Sequence, residues 1–395
     1  MIFHNAYKKL APLLRPLSLP YALLMAKRRA WYTRGIFSSF TPSCPCVAIG
    51  NIAWGGTGKT PLTAWLLAWS RQQGIKAVVL TRGYGGSPGN KPLLVRADTA
   101  PEQSGDEALM LAQAFPEFPV LAFPQRNQSA IYAQNTLNPE LFILDDGMQH
   151  LRMGRHADII LLRPEDLKDA WNRVIPAGSW REGASALASA TVFAIKTDAE
   201  YFDRLAPLAK KKLSVFGKGL FSFTLTPGGL RPLNRKTGQQ HDSLLTTKCP
   251  PYKEIMPASE DMPDPRTYET PSALIDKQEY YDRPYILMSG VGNPDQVENS
   301  AQNIMGRPPT RHLVFADHYP YSATDVRTVA ALSGAATPVL CTPKDAVKLQ
   351  TFGKEWGETP VWAMETHVRF GPYLFCETPF PQWWEKWWRA RSTAR

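Results

Sequence analysis

The sequence predicts an α/β fold: a mostly parallel sheet flanked by helices, with a second, smaller α/β domain and a helical segment at the N-terminus. Three observations lead to it. Short apolar runs of strand length alternate with segments of helical period. A glycine-rich loop joins the first such run to the first helix. The pattern lapses near residue 227 and resumes near residue 285.

Each element has its own reason. Cys46 to Ile49 is an apolar run ending in Gly50-Asn51, and it reads as a buried strand. Pro61 to Gln73 carries Leu62, Trp65, Leu66 and Trp69 at helical spacing, with Pro61 in the first turn, where its missing N–H costs nothing. Ala77–Leu80 and Val120–Phe123 read as strands, Glu107–Ala114 and Gln128–Gln134 as helices. Leu141–Leu144 is a strand that runs into Asp145-Asp146. Further strands are expected at Ile159–Leu162, Val192–Ile195, Tyr285–Met288, Leu313–Phe315 and Val339–Cys341. Strands and helices alternating at this spacing imply a sheet covered on both faces. From Pro227 to Pro284 proline, charge and turn residues dominate. The predicted organisation is therefore an N-terminal segment (1–40), a core domain (41–226), a linker and insertion (227–284) and a C-terminal α/β domain (285–395).

The 395 residues suffice for two cores, and 44% hydrophobic with 20% charged residues excludes a disordered chain. A formal net charge of +10 calls for an anionic partner. No long Lys/Arg run points to nucleic acid. The five cysteines are scattered, which argues against a disulfide framework, and Cys44-Pro45-Cys46 lacks a second metal-spaced pair. Lys8 to Arg29 is apolar but interrupted by Pro12, Arg15, Pro16 and Pro20, too short and too charged to span a bilayer. Basic residues at both ends suit a segment lying in a membrane interface, and an ordinary packed helix fits as well. Trp383-Trp384-Glu385-Lys386-Trp387-Trp388 reads as a packed terminal helix, with membrane contact as the other reading.

The strongest local signal is Gly55-Gly56-Thr57-Gly58-Lys59-Thr60 between a strand and a helix, the setting of a phosphate-binding loop. Backbone N–H groups and the helix N-terminus cradle phosphate oxygens. Lys59 supplies charge at the β/γ-phosphates, and the Thr60 hydroxyl can ligate Mg²⁺. The nucleotide is expected against Ala53, Trp54, Gly55, Gly56, Thr57, Gly58, Lys59 and Thr60, with Ala53 standing where the strict pattern has glycine. Asp145 and Asp146, at the C-terminal end of their strand, are the further candidates for holding Mg²⁺ or its water. These features place the fold in the P-loop NTPase type.

A longer run of blocks narrows the class. Gly50-Asn51-Ile52, Thr81-Arg82-Gly83-Tyr84-Gly85-Gly86, Gly105-Asp106-Glu107, Asp145-Asp146-Gly147-Met148-Gln149-His150, Ile175-Pro176-Ala177-Gly178 and Arg181-Glu182 follow in order. Ser289-Gly290-Val291-Gly292-Asn293-Pro294, Phe315-Ala316-Asp317-His318 and Lys344-Asp345-Ala346-Val347-Lys348-Leu349 continue the run. In this order they closely resemble the tetraacyldisaccharide 4'-kinase (lipid A 4'-kinase) family, over about residues 10–350. The resemblance implies transfer of the ATP γ-phosphoryl group to the 4'-hydroxyl of a tetraacylated glucosamine disaccharide 1-phosphate, with Mg²⁺, at the cytoplasmic face of an inner membrane. It turns the reading of residues 8–29 towards the interface. It also assigns Asp106 as the base, supported by His318, and suggests Arg82, Tyr84, Glu107, Gln149, His150, Arg181 and Glu182 around substrate or phosphate. Arg152 is a further candidate for phosphate charge. Neither nucleic acid nor a protein partner is expected. The sequence departs from the family's usual pattern at Pro343, at Ala316 and in the length of the stretch from about 235 to 283.

The chemistry agrees with that assignment. A sugar hydroxyl is a very weak acid, so a positioned carboxylate must take its proton as the bond to phosphorus forms. The competing reading is a P-loop GTPase or metal-insertion NTPase, with Asp145 as a switch residue and Ile195-Lys196-Thr197-Asp198 as a loose match to the guanine-reading Asn-Lys-x-Asp. That segment reads more simply as a strand end. A non-enzymatic basic scaffold conflicts with the intact Lys59-Thr60 and the paired aspartates.

Overall fold

The computed structural model describes residues 2–233 and 275–392, so most of the expected insertion lies outside the described residues. The chain opens with one long helix, α1 (Ile2–Thr33), which contains Pro12, Pro16 and Pro20. The core follows as β1 (Cys46–Asn51), α2 (Lys59–Gln72), β2 (Ala77–Thr81), β3 (Leu93–Val95), a short α3 (Pro101–Ser104), α4 (Asp106–Ala114) and β4 (Val120–Ala122). It continues through α5 (Arg126–Thr136), β5 (Leu141–Asp145), β6 (Ala157–Leu162), β7 (Val192–Lys196), α6 (Ala199–Leu213) and β8 (Gly219–Pro232). The second lobe is α7 (Lys277–Tyr280), β9 (Ile286–Ser289), α8 (Pro294–Met305), β10 (Arg311–Val314), α9 (Ala323–Ser333), β11 (Val339–Cys341), α10 (Pro343–Leu349) and α11 (Gly353–Trp356). The chain then returns through β12 (Val361–Leu374) to α12 (Phe380–Ser392).

Among the described residues the strands join one 12-stranded sheet in the order β10-β9-β11-β12-β8-β7-β6-β1-β5-β2-β4-β3. Every pairing is parallel except β3 with β4 and β8 with β12. Strand alternation sorts the side chains by face: Val47, Ile49, Ala77 and Val79 enter one cluster, while Cys46, Ala48, Val78 and Leu80 enter another on the opposite side. Burial on both faces explains why these strands are apolar throughout rather than alternating. The predicted P-loop strand, Cys46–Ile49, is therefore central, between β5 and β6.

The tertiary structure redraws one expected boundary. β8 runs straight through residues 226 and 227 and pairs antiparallel with β12, so the sheet is continuous from lobe to lobe. Pro227-Gly228-Gly229 looks like a turn in sequence, but a register shift opposite Glu365/Thr366 accommodates it within the strand. Ile275 and Tyr280 pack on Leu287 and Met305, so residues 275–284 belong to the second lobe's core.

The tryptophan tail is a packed helix. Trp384 and Trp387 are buried with Trp65 and Trp69 of α2, the Trp69–Trp384 ring centroids lying 5.4 Å apart. Each such buried ring contributes about 2–3 kcal/mol. The helix that follows the phosphate loop is thus backed by the last helix of the chain. Among the described residues no helix is long and apolar enough to cross a membrane.

Candidate active site

The site forms where the C-terminal ends of β1 and β5 face the second lobe, the usual ligand position in an open parallel sheet. β1 ends at Asn51, and the loop to α2 turns on Gly55 and Gly58, with φ of +106° and +90°. Gly58 has a second constraint: a Cβ there would come within 2.9 Å of the Phe223 ring. Lys59 opens α2, its Nζ 3.3 Å from Asn51 Oδ1 and 3.8 Å from Asp146 Oδ1. Ala53 is buried and bridges to Trp180, which explains the missing glycine: the position is packed, not turned. Trp54 is exposed, its N–H donating to Ser179 O and its carbonyl accepting from Arg163. Thr57 and Thr60 are buried, and the Thr57 hydroxyl has no protein partner.

The paired aspartates divide into two environments. Asp145 is buried and accepts from Thr63 Oγ1 at 3.2 Å. Burial and then the nearby Glu107 charge push its carboxyl up from 3.8 to about 7, with Lys59 acting in the opposite sense. Asp146, in a left-handed backbone conformation, pairs with Lys59 and with Arg181 at 3.0 Å, and these cations hold its carboxyl low against the cost of burial. Asp145 and Glu107 are therefore a cluster of negative charge short of positive charge, which suits a divalent cation. Asp145 and the Thr60 hydroxyl would hold Mg²⁺, whereas Asp146, the third ligand expected from the sequence, is already paired with Lys59 and Arg181.

This arrangement has a measurable cost. The unfolded chain ionises Asp145 near 3.8 and the folded protein near 7, so this group makes stability fall as pH rises between those values. Asp145→Asn is therefore expected to raise the melting temperature of the nucleotide-free protein, little near pH 4 and fully above pH 7, while weakening Mg²⁺-nucleotide binding. Thermal melts across that range check it. A melting temperature lowered equally at every pH would contradict the assignment.

Arginines surround the aspartates. Arg181 donates to Asn51 O at 2.8 Å as well as to Asp146 and Asn51 Oδ1. Arg126 is buried at the head of α5, donates to Asp146 O at 3.2 Å, and is brought down to about 10 by burial, with Arg82 and Arg181 adding repulsion. Such a group of cations is a ready seat for phosphate charge. Gln149 donates to Asn51 O at 3.1 Å, leaving its buried Oε1 without a protein partner. Burial, then Arg126 and other arginines, press His150 down to about 3, so it is neutral, and its Nε2 is also unpartnered. Both residues point to a polar ligand here. Glu182 is instead occupied by Arg29 of α1 at 2.8 Å, which ties the helix to the site.

The other wall joins α4 of the core to the second lobe. Gly105 brings the chain into α4 at φ +81°, where a Cβ would lie 2.3 Å from Tyr84 O, and Asp106 follows at the helix head. Asp106 Oδ2 lies 3.1 Å from His318 Nδ1 and 3.0 Å from Lys348 Nζ. His318 sits in the left-handed region at φ +59°, a strain that clusters at functional sites. Its ring is 5.2 Å from that of the exposed Tyr84, and its Nε2 is 3.0 Å from Lys344 Nζ. Asn51, Thr63, Arg126, Lys344 and Lys348 were not singled out by sequence reasoning. Asn51, Lys344 and Lys348 lie within the quoted blocks, and Arg126 follows a strand end, which was the available signal.

A phosphate loop, a buried aspartate beside it, clustered arginines and a facing carboxylate–histidine pair define a P-loop phosphotransferase. The sequence profile of the tetraacyldisaccharide-1-P 4'-kinase family matches residues 10–377. The chain belongs to this family and is a kinase. A tetraacyldisaccharide 4'-kinase of Nitratidesulfovibrio vulgaris is 42% identical over 98% of this chain and 96% of its own length. That of Oleidesulfovibrio alaskensis is 39% identical over 98% of both chains. LpxK from Aquifex aeolicus, solved in complex with ATP, superposes with a TM-score of 0.69 at 23% identity, covering 96% of this chain and 99% of that one, and so shares the fold.

Proposed function

We propose that ATP-dependent phosphorylation of the 4'-hydroxyl of a tetraacylated glucosamine disaccharide 1-phosphate, the reaction of lipid A biosynthesis, runs through Asp106 as the base. The observation that carries this reading is the Asp106 carboxylate, bonded to His318 of the other lobe and next in sequence to Glu107, whose charge reaches Asp145. The hydroxyl proton goes to Asp106 as the new O–P bond forms and the bond to the ADP leaving oxygen breaks. The loop 53–60 holds the nucleotide phosphates. Lys59, Arg181, Arg126 and Arg82 meet the charge that spreads over the transferring group. Mg²⁺, when bound, supplies further neutralisation of the β/γ-phosphates. The GTPase alternative has less support, because Lys196 ends β7 and donates to Gln296 Oε1 at 3.0 Å.

The acceptor's route runs along α1. A cavity of about 850 Å³ is lined by Leu24, Arg28, Trp31, Phe37, Asn127 and Arg152 among others, and Asn127 follows Arg126, which donates to Asp146 O. Apolar walls with arginines suit acyl chains joined to a phosphorylated sugar. On the outer side Leu13, Leu17, Leu19 and Leu23 are exposed, while Ser18 bonds to Val174 O at 2.8 Å and Arg29 pairs with Glu182. The helix is thus packed on one side and free to enter a membrane interface on the other, as expected at the cytoplasmic face of an inner membrane.

The test measures ATP consumption with detergent- or vesicle-dispersed acceptor. Consumption should depend on the acylated disaccharide monophosphate. Replacing Leu13, Leu17, Leu19 and Leu23 by serine should raise KM for the lipid by ~10-fold or more, at about 0.8 kcal/mol per buried methylene lost, and leave KM for ATP unchanged. Acceptor-independent hydrolysis at the same rate would overturn the kinase reading for this substrate. An unchanged lipid KM would place the membrane contact elsewhere.

A further inference from the structure

We infer that Lys348 is the positioning residue of the base: it pins one oxygen of Asp106 so that the other, Oδ1, is the one that accepts the hydroxyl proton. This rests on the reading of Asp106 as the base. Lys348 lies on α10 of the second lobe, 242 residues from Asp106 in sequence, and only 8% of it is exposed. Its Nζ donates to Asp106 Oδ2 and to Tyr319 O, each at 3.0 Å, and stands 5.3 Å from the Tyr321 ring centroid. A buried ammonium with this many fixed partners has one position available to it.

Lys344 stands one turn earlier on the same helix face. Its Nζ lies 2.7 Å from Asp317 Oδ1 and 3.0 Å from His318 Nε2. An ammonium has three donors and no acceptor, so His318 Nε2 must be the accepting nitrogen. The neutral ring then carries its proton on Nδ1 and donates it to Asp106 Oδ2 at 3.1 Å. Both donors therefore converge on Oδ2. The helix that aims them is itself held: Asp345 accepts from Gly290 N at 3.2 Å, from Tyr321 Oη at 2.9 Å and from Thr342 Oγ1 at 2.7 Å.

The consequence is a division of labour within one carboxylate. Oδ2 is committed to Lys348 and His318. Oδ1 keeps its lone pairs for the substrate proton, which passes to solvent after ADP and the sugar phosphate form. Because both donors come from the second lobe, the carboxylate acquires this orientation only when the lobes are together. A carboxylate free to rotate would present a base at the wrong angle much of the time, and misplacement of this kind is costly in rate.

The experiment uses the full chain with ATP and detergent-dispersed acceptor. K348A is expected to lower kcat on the order of 10- to 100-fold, a fraction of what general base catalysis contributes, with both KM values within about twofold. Added ethylammonium should restore part of the lost turnover, and tetramethylammonium, which carries the charge but no N–H donor, should not. K348R keeps a donor and guards against a folding failure, so its kcat should exceed that of K348A at the same KM values. In a D106N background K348A should cost nothing further, since the group it positions is gone. Parental kcat in K348A, a loss confined to KM, or equal rescue by the two cations would overturn the inference. If D106N itself keeps parental turnover, the base assignment fails and takes this inference with it. If D106N is impaired and K348A is not, only the role of Lys348 fails.

Discussion

Lys59→Ala is expected to lower turnover by ~10²-fold or more, the cost of removing a charge aimed at a transferring phosphoryl group. Lys59 Nζ lies between Asn51 Oδ1 at 3.3 Å and Asp146 Oδ1 at 3.8 Å, so a neighbouring carboxylate and amide hold it in place before nucleotide arrives. Its loss also removes the cation that opposes the upward push on Asp145, whose carboxyl already sits at about 7. ATP binding should weaken together with turnover. Melting in the absence of nucleotide should change little, because the core around α2 is made by Leu62, Trp65, Leu66 and Trp69 rather than by the lysine. Single-turnover measurement at saturating ATP separates the two losses. Turnover near that of the parent would remove the phosphate-loop assignment.

The second large effect is at Asp106. Asp106→Asn removes the proton acceptor and should reduce kcat by ~10²- to 10⁴-fold, the range of general base catalysis, with nucleotide affinity nearly unchanged. It also leaves Lys348 buried beside an amide, so some loss of stability should accompany it. His318→Ala added to Asp106→Asn should cost much less than it does alone, since groups that act as a unit are not additive. Nucleotide titration beside steady-state kinetics gives both numbers. An Asp106→Asn protein that fails to bind ATP but still engages the acceptor would put Asp106 on the nucleotide side and end its candidacy as the base.

How much of this was legible in the sequence depends on distance along the chain. The phosphate loop was legible because its parts are adjacent: β1, Gly55, Gly58 and Lys59 lie within one strand–loop–helix unit. Asp145 and Asp146 were legible as a pair at a strand end, but not as opposites. Only the packed structure shows Asp145 facing Glu107 while Asp146 is taken by Lys59 and Arg181. Glu182 reads as a ligand candidate in sequence and turns out to be engaged by Arg29. The boundary near residue 227 was misread because Pro227-Gly228-Gly229 has turn composition. The pairing of β8 with β12, some 140 residues away in sequence, overrides that local preference (Thr226 Oγ1 bonds to His367 O at a separation of 141 residues).

By itself the sequence determined the strand–loop–helix that holds phosphate, the parallel sheet around it and the family to which the blocks belong. These follow from spacing between near neighbours and from the order of motifs. Tertiary structure alone decided which charges meet. Asp106 and His318 are 212 residues apart, Asp106 and Lys348 are 242 apart, and α12 returns from the end of the chain to back the helix behind Lys59. Periodicity carries no information about such pairs, because an ion pair or a buried ring leaves no mark on the residues beside it in the chain. They become visible only when the continuous sheet sets the two lobes face to face.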